Sequence, residues 1–202
     1  MRISRIQIEN FRNFRSLDVE LGQNIVLVGE NKSGKSNFIE ALRLVLDPSL
    51  SENDRRLEDS DFWDGNGDLP FDGRQIRISI YFTDFADLKN PEYLPLSWLS
   101  ASIVETTPQY TAKLTYLFFN NGDNESPIAN DYSFKIYPGN KVEEPFDKDM
   151  LRSIPLQLIE ALRDITSDTK VWHRSPLKKL LDLSLTLLSF SVNFANEKWQ
   201  TT

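Results

Sequence analysis

Apolar and polar residues alternate at the start of the chain and predict two short strands. The apolar positions are Ile6, Ile8 and Phe11 in the first segment and Leu17, Val19 and Leu21 in the second. The sequence NFRNF at 10–14 links them. We therefore expect a short connection and one apolar face on each strand.

The next segments predict a buried strand followed by a helix. Ile25 to Val28 is apolar at four consecutive positions, as in the central strand of a helix-covered sheet. After Ser33 the apolar positions recur with helical spacing. Asp47-Pro48 should end this helix, because the residue before proline disfavours helical geometry. The helix face is formed by Phe38, Leu42, Val45 and Leu46.

The rest of the chain divides into an acidic loop at 48–74, strands and helices at 75–190 and a polar tail at 191–202. Strands are predicted at 76–82, 110–118 and 132–136, and the turn-rich sequence NNGDNESP favours antiparallel pairing. Ser175-Pro176 predicts a helix start. The sequence leaves open whether 85–99 forms a helix and whether 154–164 begins as a strand.

Composition excludes several kinds of chemistry. The 202 residues include no cysteine and one histidine, so neither disulfides nor thiolate metal sites are available and a Ser-His-Asp triad is improbable. No segment approaches the roughly 18 apolar residues of a membrane span, and the first ten residues lack a leader-like apolar core. We therefore expect a cytoplasmic protein. Its net charge of −7 means that contact with DNA would need a local basic surface or a partner.

The sequence VGENKSGKSN at 28–37 contains the pattern G-x-x-x-x-G-K-S, formed by Gly29, Gly34, Lys35 and Ser36. Glycines let successive backbone N–H groups converge on phosphates, and the following helix adds its positive dipole end. The pattern predicts binding of ATP and Mg²⁺, with Lys35 as the catalytic cation at the β- and γ-phosphates and Ser36 as a metal ligand. The predicted nucleotide-binding residues are Gly29, Glu30, Asn31, Lys32, Ser33, Gly34, Lys35, Ser36 and Asn37.

The sequences IQIENFRNF and LDVELGQNIVLVGENKSGKSNFIEALRLVL closely resemble the start of ABC-type ATPase heads of the RecF, SMC and Rad50 group. Within that group they look most like the OLD-family ATP-dependent nucleases, which include anti-phage effectors. The strong match covers residues 1–48. It implies an α/β P-loop fold with a mixed sheet and an antiparallel β-subdomain. By this resemblance Arg12 approaches the nucleotide, and Asn31 shapes the loop or faces the γ-phosphate.

Several parts that the resemblance implies are not present in the sequence. ABC heads complete hydrolysis with a signature serine-glycine loop from a second head, a strand ending in Asp-Glu and a switch histidine. Neither the signature loop nor the Asp-Glu strand is recognisable here, nor is the Toprim nuclease domain of OLD proteins. We therefore expect 1–202 to be the N-terminal part of an ATPase domain, an incomplete head that self-associates or pairs with a chain supplying the other half. Hydrolysis by this chain alone should be weak.

Alternative functions remain open at this point. The chain could be a non-enzymatic, nucleotide-dependent interaction subunit, or a fragment of a RecF/SMC-like DNA-repair ATPase. A small-molecule kinase is disfavoured by the strands before the phosphate loop. A calcium loop from Asp64 fails at two strict positions, Leu69 and Gln75. Asp84 is a weak candidate for contact with Mg²⁺ or water, and His173 is more typical of a packed or surface residue.

Overall fold

The computed structural model describes residues 1–63, 74–84, 102–106, 110–122 and 128–144, together with Phe146, Leu151 and Ile154. All of them belong to the first of two compact units of the chain, Met1–Leu156. Within these residues, no helix is long and apolar enough to cross a bilayer.

A six-stranded sheet forms most of the described fold. The strands are β1 (Arg2–Phe11), β2 (Phe14–Glu20), β3 (Ile76–Thr83), β4 (Ile103–Glu105), β5 (Thr111–Asn120) and β6 (Tyr132–Pro138). Their order is β2-β1-β3-β5-β4, and β6 also pairs with β5. Every described strand pair is antiparallel, so this sheet corresponds to the antiparallel part of the expected fold. The sequence predictions for β1, β2, β3, β5 and β6 are confirmed, whereas β4 was not predicted.

One helix, α1 (Lys35–Leu46), packs against β3 and β5. It ends at Asp47 as predicted, with an extended backbone at that residue. Its buried side chains Phe38, Ala41 and Val45 join the core formed by alternate residues of the strands. The inward-facing strand residues include Ile6, Ile8, Ile78, Ile80, Leu114 and Tyr116. Burying this apolar surface holds the helix, and thus its N-terminus, at a fixed place on the sheet.

The prediction of a central strand at Ile25 to Val28 is wrong for the described structure. These residues have no strand assignment, and Val26 and Val28 are 82% and 88% exposed. A strand forms only where neighbouring backbone completes its hydrogen bonds, and no described segment pairs with this one. Four apolar side chains therefore lie on the surface immediately before the phosphate loop.

The described part of the acidic loop, 48–63, folds back onto the helix and the sheet. Leu57 and Phe62 are buried, and a 3-10 turn occupies Asp59–Asp61. Phe62 forms an isolated antiparallel bridge with Phe11, the last residue of β1. This bridge places the acidic turn beside the link between β1 and β2.

Candidate functional site

The predicted phosphate loop connects the exposed apolar segment to the start of α1. Gly34 is the residue before the helix and has a φ of +98°, which L side chains rarely adopt. Lys32, two residues earlier, also has a positive φ, of 67°. The backbone N–H of Ser33 donates to the carbonyl of Glu30 at 3.3 Å. The loop is therefore a tight turn that depends on glycine at its last position.

The side chain of Lys35 folds into this loop. Its Nζ atom donates hydrogen bonds to the carbonyl oxygens of Gly29 at 2.8 Å and Glu30 at 2.6 Å, and lies 3.4 Å from the Ser33 hydroxyl. An ammonium group has three donors and no acceptor, so the loop oxygens satisfy it. The same three donors also suit phosphate oxygens. To bind a phosphate, the ammonium group would have to give up its hydrogen bonds to the loop oxygens.

The N-terminus of α1 is suited to an anion. Gly34 offers no side chain to cap the helix, and the first turn contains no acid that would neutralise the dipole. A cavity of about 360 Å³ lies at this point, lined by Asn31, Lys32, Gly34, Lys35, Ser36 and Asn37. Backbone N–H groups at a helix start and one ammonium group are the donors that phosphates require.

Ser36 lies in the first turn of α1, is exposed and lines this cavity. A serine hydroxyl with phosphate oxygens and water satisfies the octahedral oxygen preference of Mg²⁺. Among the described residues, no cluster of three or more histidine, cysteine or carboxylate residues could hold a metal ion. The donor set at the loop therefore fits a phosphate chain with Mg²⁺.

Both motif glycines lie where a larger residue would collide. A Cβ on Gly29 would come within 2.7 Å of the Ser33 Oγ atom. A Cβ on Gly34 would overlap the side-chain amide of Asn13, which lies on the link between β1 and β2. Glycine is therefore required at position 34 for two reasons. The backbone has a positive φ there, and Asn13, from outside the loop, leaves no space for a Cβ atom.

The other residues that the sequence analysis singled out lie outside the loop at 29–36. Arg12 donates to the Asp61 carboxylate at 2.8 Å and to the Asn37 side chain at 3.1 Å, so it contacts the first turn of α1 directly. Asp84 pairs with Arg2 at 2.6 Å beyond the end of β3. His173, the predicted helix from Ser175 and residues 64–73 of the calcium-like loop lie outside the described residues.

Sequence reasoning missed Asn13 and Asp61. Asn13 donates to the carbonyl of Ser33 at 3.4 Å and accepts from Asn37 at 2.9 Å. Asp61 is far from the phosphate loop in sequence. It is one of several acidic residues in its segment, so its residue type alone does not indicate a contact with Arg12. Asn13 lies inside NFRNF, and its position immediately after Arg12 was the available signal.

Family comparison agrees with this geometry. A family model described as the AAA ATPase domain matches residues 1–185. The chain belongs to this ATPase family. The P-loop fold class and the presence of an ATPase domain are thereby established, and an ATPase domain implies ATP as its ligand.

Several curated proteins match part of this chain in sequence. The ATPase domain is 40% identical over 84 residues to the uncharacterized protein YbjD of Escherichia coli, covering 41% of this chain and 14% of YbjD. It is 44% identical over 50 residues to endonuclease GajA of Bacillus cereus, covering 25% and 9%. It is 31% identical over 80 residues to the DNA replication and repair protein RecF of Listeria welshimeri, covering 38% and 20%. These matches confirm the resemblance to RecF-type ATPase heads.

The ATPase domain spans no more than a fifth of the length of these three relatives.

Among solved structures, one SMC ATPase from work on ATP-driven dimerization and DNA-stimulated activation has a TM-score of 0.47 at 18% identity, covering 91% of this chain and 98% of that one. An SMC head bound to the C-winged helix domain of ScpA has a TM-score of 0.43 at 16% identity, covering 76% and 39%.

Proposed function

We propose that this chain is the ATP- and Mg²⁺-binding module of an OLD-like ATP-dependent DNA endonuclease, acting in DNA processing or anti-phage defence in the cytoplasm. The decisive observation is the loop at 29–36, in which the Lys35 ammonium group and an uncapped helix start converge. Similarity to the endonuclease GajA and to the DNA replication and repair protein RecF supports a role on DNA.

In this function the nine residues Gly29 to Asn37 hold the triphosphate. The backbone N–H groups at the start of α1 bind phosphate oxygens, Lys35 balances their charge and Ser36 ligates Mg²⁺. Bound ATP would supply the γ-phosphoryl group that hydrolysis transfers to water, with ADP as the leaving group. The chain provides the cradle, and a second polypeptide part provides the groups that position water and stabilise the transition state.

The exposed segment Ile25 to Val28 supports the need for a second part. Four consecutive apolar residues on a surface favour association with another strand, which would satisfy their backbone and bury their side chains. Self-association and pairing with the other ATPase half are both compatible with this surface. DNA would then be contacted through the assembly.

The nucleotide proposal is tested with Lys35→Ala. We expect calorimetry to show Mg²⁺-ATP binding to the wild-type chain and none to Lys35→Ala, with unchanged far-ultraviolet circular dichroism. Lys141→Ala is the matched control, because it removes the same charge from an exposed pair with Glu144. Equal affinity of Lys35→Ala and wild type would contradict the proposal.

A second candidate function is a non-enzymatic interaction subunit that uses ATP to set an interface. The exposed apolar segment at 25–28 is the observation that favours it. Native mass spectrometry with and without Mg²⁺-ATP, combined with a phosphate-release assay, separates the candidates. Nucleotide-dependent assembly without turnover, also in the presence of the partner, would favour the interaction subunit. Turnover and DNA cleavage by the assembly would favour the nuclease.

A further inference from the structure

The link between β1 and β2 is a strained two-residue turn, Arg12–Asn13. Phe11 pairs with Phe14, so only these two residues reverse the chain. Arg12 has a φ of +48°, a left-handed conformation that is unfavourable for an L residue. Such strain persists only where surrounding contacts fix it, and it is frequent at functional sites.

Asp61 supplies the contacts that hold Arg12. The backbone N–H of Arg12 donates to the Asp61 carbonyl at 2.7 Å, and its Nε atom donates to the Asp61 carboxylate at 2.8 Å. The Asp61 side chain is only 13% exposed, and its other oxygen accepts from the N–H of Glu58 at 2.9 Å. The 3-10 turn at Asp59–Asp61 therefore holds the Asp61 carboxylate in place. The carboxylate then holds Arg12.

From Arg12 the hydrogen bonds continue to the helix and back to the turn. Arg12 Nη1 donates to Asn37 Oδ1 at 3.1 Å, and Asn37 Nδ2 donates to Asn13 Oδ1 at 2.9 Å. With its oxygen bound, the Asn13 amide directs its nitrogen to the Ser33 carbonyl at 3.4 Å. One connected network thus joins the 3-10 turn, the β1–β2 turn and the phosphate loop.

The Ser33 carbonyl matters because it shares a peptide unit with the Gly34 N–H. A trans peptide is planar, so its C=O and N–H groups point in opposite directions. A carbonyl held toward Asn13 therefore aims the Gly34 N–H away from the β1–β2 turn. The overlap of Asn13 with any Cβ on Gly34 shows how closely the amide covers this peptide.

We propose that the turn Arg12–Asn13 is a positioning element of the phosphate loop. Asn13 orients the Ser33–Gly34 peptide, and Arg12, braced by Asp61, keeps Asn37 and Asn13 in place. This role rests on the nucleotide binding proposed above, and it assigns to Arg12 and Asn13 an indirect action through the loop.

The test uses two substitutions that conserve net charge, Asn13→Ala and Arg12→Lys. Lysine keeps a cation beside Asp61 but lacks the fork that reaches Asn37 as well. Losing one hydrogen bond of this kind should weaken binding of a fluorescent ATP analogue with Mg²⁺ about fivefold. The matched controls are Asn140→Ala, beyond β6, and Arg5→Lys, which alters an exposed pair with Asp18 on the same hairpin. Both controls should bind as wild type.

Two further readouts separate positioning from a general loss of structure. The amide resonances of Gly34 and Lys35 in the nucleotide-free chain should shift in Asn13→Ala and stay in place in Asn140→Ala. The double variant should bind about as weakly as either single variant, because both break one network.

Wild-type affinity in Asn13→Ala and Arg12→Lys, or unmoved Gly34 resonances, would overturn the positioning role. If the wild-type chain binds no nucleotide, the nucleotide proposal is contradicted instead. The positioning role would then be tested by the Gly34 and Lys35 amide resonances alone. If Asn13→Ala does not fold, Arg12→Lys and Asn37→Ala are measured in the same assays.

Discussion

The guanidinium group of Arg55 donates a hydrogen bond from Nε to the main-chain carbonyl of Leu44 at 3.1 Å. The same group also donates to the carbonyls of Leu50, at 2.6 Å, and Asp47. Arg55 is 2% exposed, and burial lowers the pKa of its guanidinium from the ordinary value. One arginine thus satisfies carbonyls at the C-terminal end of α1 and in the segment that follows it.

Replacing Arg55 with methionine should destabilise the chain strongly. The substitution conserves much of the apolar stem but leaves three carbonyls without their donors, so we expect a loss of about 2 to 4 kcal/mol. Urea unfolding followed by circular dichroism measures this. Arg56→Met is the control because Arg56 is exposed, and its effect should stay within about 0.5 kcal/mol. Equal stability of the two variants would refute the capping role of Arg55.

Tyr116→Phe tests the contact between β5 and the same segment. The Tyr116 hydroxyl is buried and donates to the Arg55 carbonyl at 2.5 Å, so its removal should cost about 1 kcal/mol at neutral pH. Tyr110→Phe, at a half-exposed position, should cost little. A smaller effect for Tyr116 than for Tyr110 in urea unfolding would show that the hydroxyl contributes nothing.

The same tyrosine predicts an alkaline pH dependence. Burial raises the pKa of Tyr116 above its ordinary value of 10.0. Below pH 10 the phenol is protonated in both the folded and the unfolded chain, so its full contribution to the free energy of unfolding is present. Above pH 10 the unfolded phenol ionises first, so the wild type loses stability relative to Tyr116→Phe by up to about 1.4 kcal/mol per pH unit. Parallel stability curves from pH 9 to 11 would contradict this.

Gly34→Ala should disturb both the loop and the β1–β2 turn. An alanine here meets a φ of +98° and overlaps the Asn13 amide, so we expect a loss of about 1 to 2 kcal/mol. Thermal unfolding gives the measurement, with Gly22→Ala as control because, apart from its two neighbours in the chain, no residue comes within 4 Å of its Cβ position. Adding Asn13→Ala should restore part of the loss, since the overlapping side chain is gone. Strict additivity of the two substitutions would argue against the overlap.

The segment before the loop should tolerate polar residues in the isolated chain. Val26 and Val28 are almost fully exposed, so Val26→Thr with Val28→Thr should change the free energy of unfolding by less than about 0.5 kcal/mol. Val45→Ala, in the core, should cost about 2 kcal/mol. The double variant should also self-associate less in sedimentation velocity, and undiminished association would show that this surface is not the interface.

Local patterns in the sequence were sufficient for most elements. Alternation predicted β1, β2 and β3, the segments of β5 and β6 were also predicted as strands, and helical spacing with Asp47-Pro48 predicted α1 and its end. The phosphate-loop pattern predicted a loop followed by a helix, because glycine conformations and helix dipoles act within a few residues. The short β4 was missed, since three residues paired at an edge carry almost no periodic signal.

Tertiary structure decided which segments pair and which polar groups are buried. The apolar run at 25–28 predicted a central strand, yet a strand requires a neighbour that the local sequence does not specify. Arg55 belongs by composition to a charged loop, but its burial follows from carbonyls that the end of α1 leaves without partners. The sequence determined that a phosphate loop exists, whereas only the fold brought Asn13 against Ser33 and Asp61 against Arg12, because these contacts join residues that are distant along the chain.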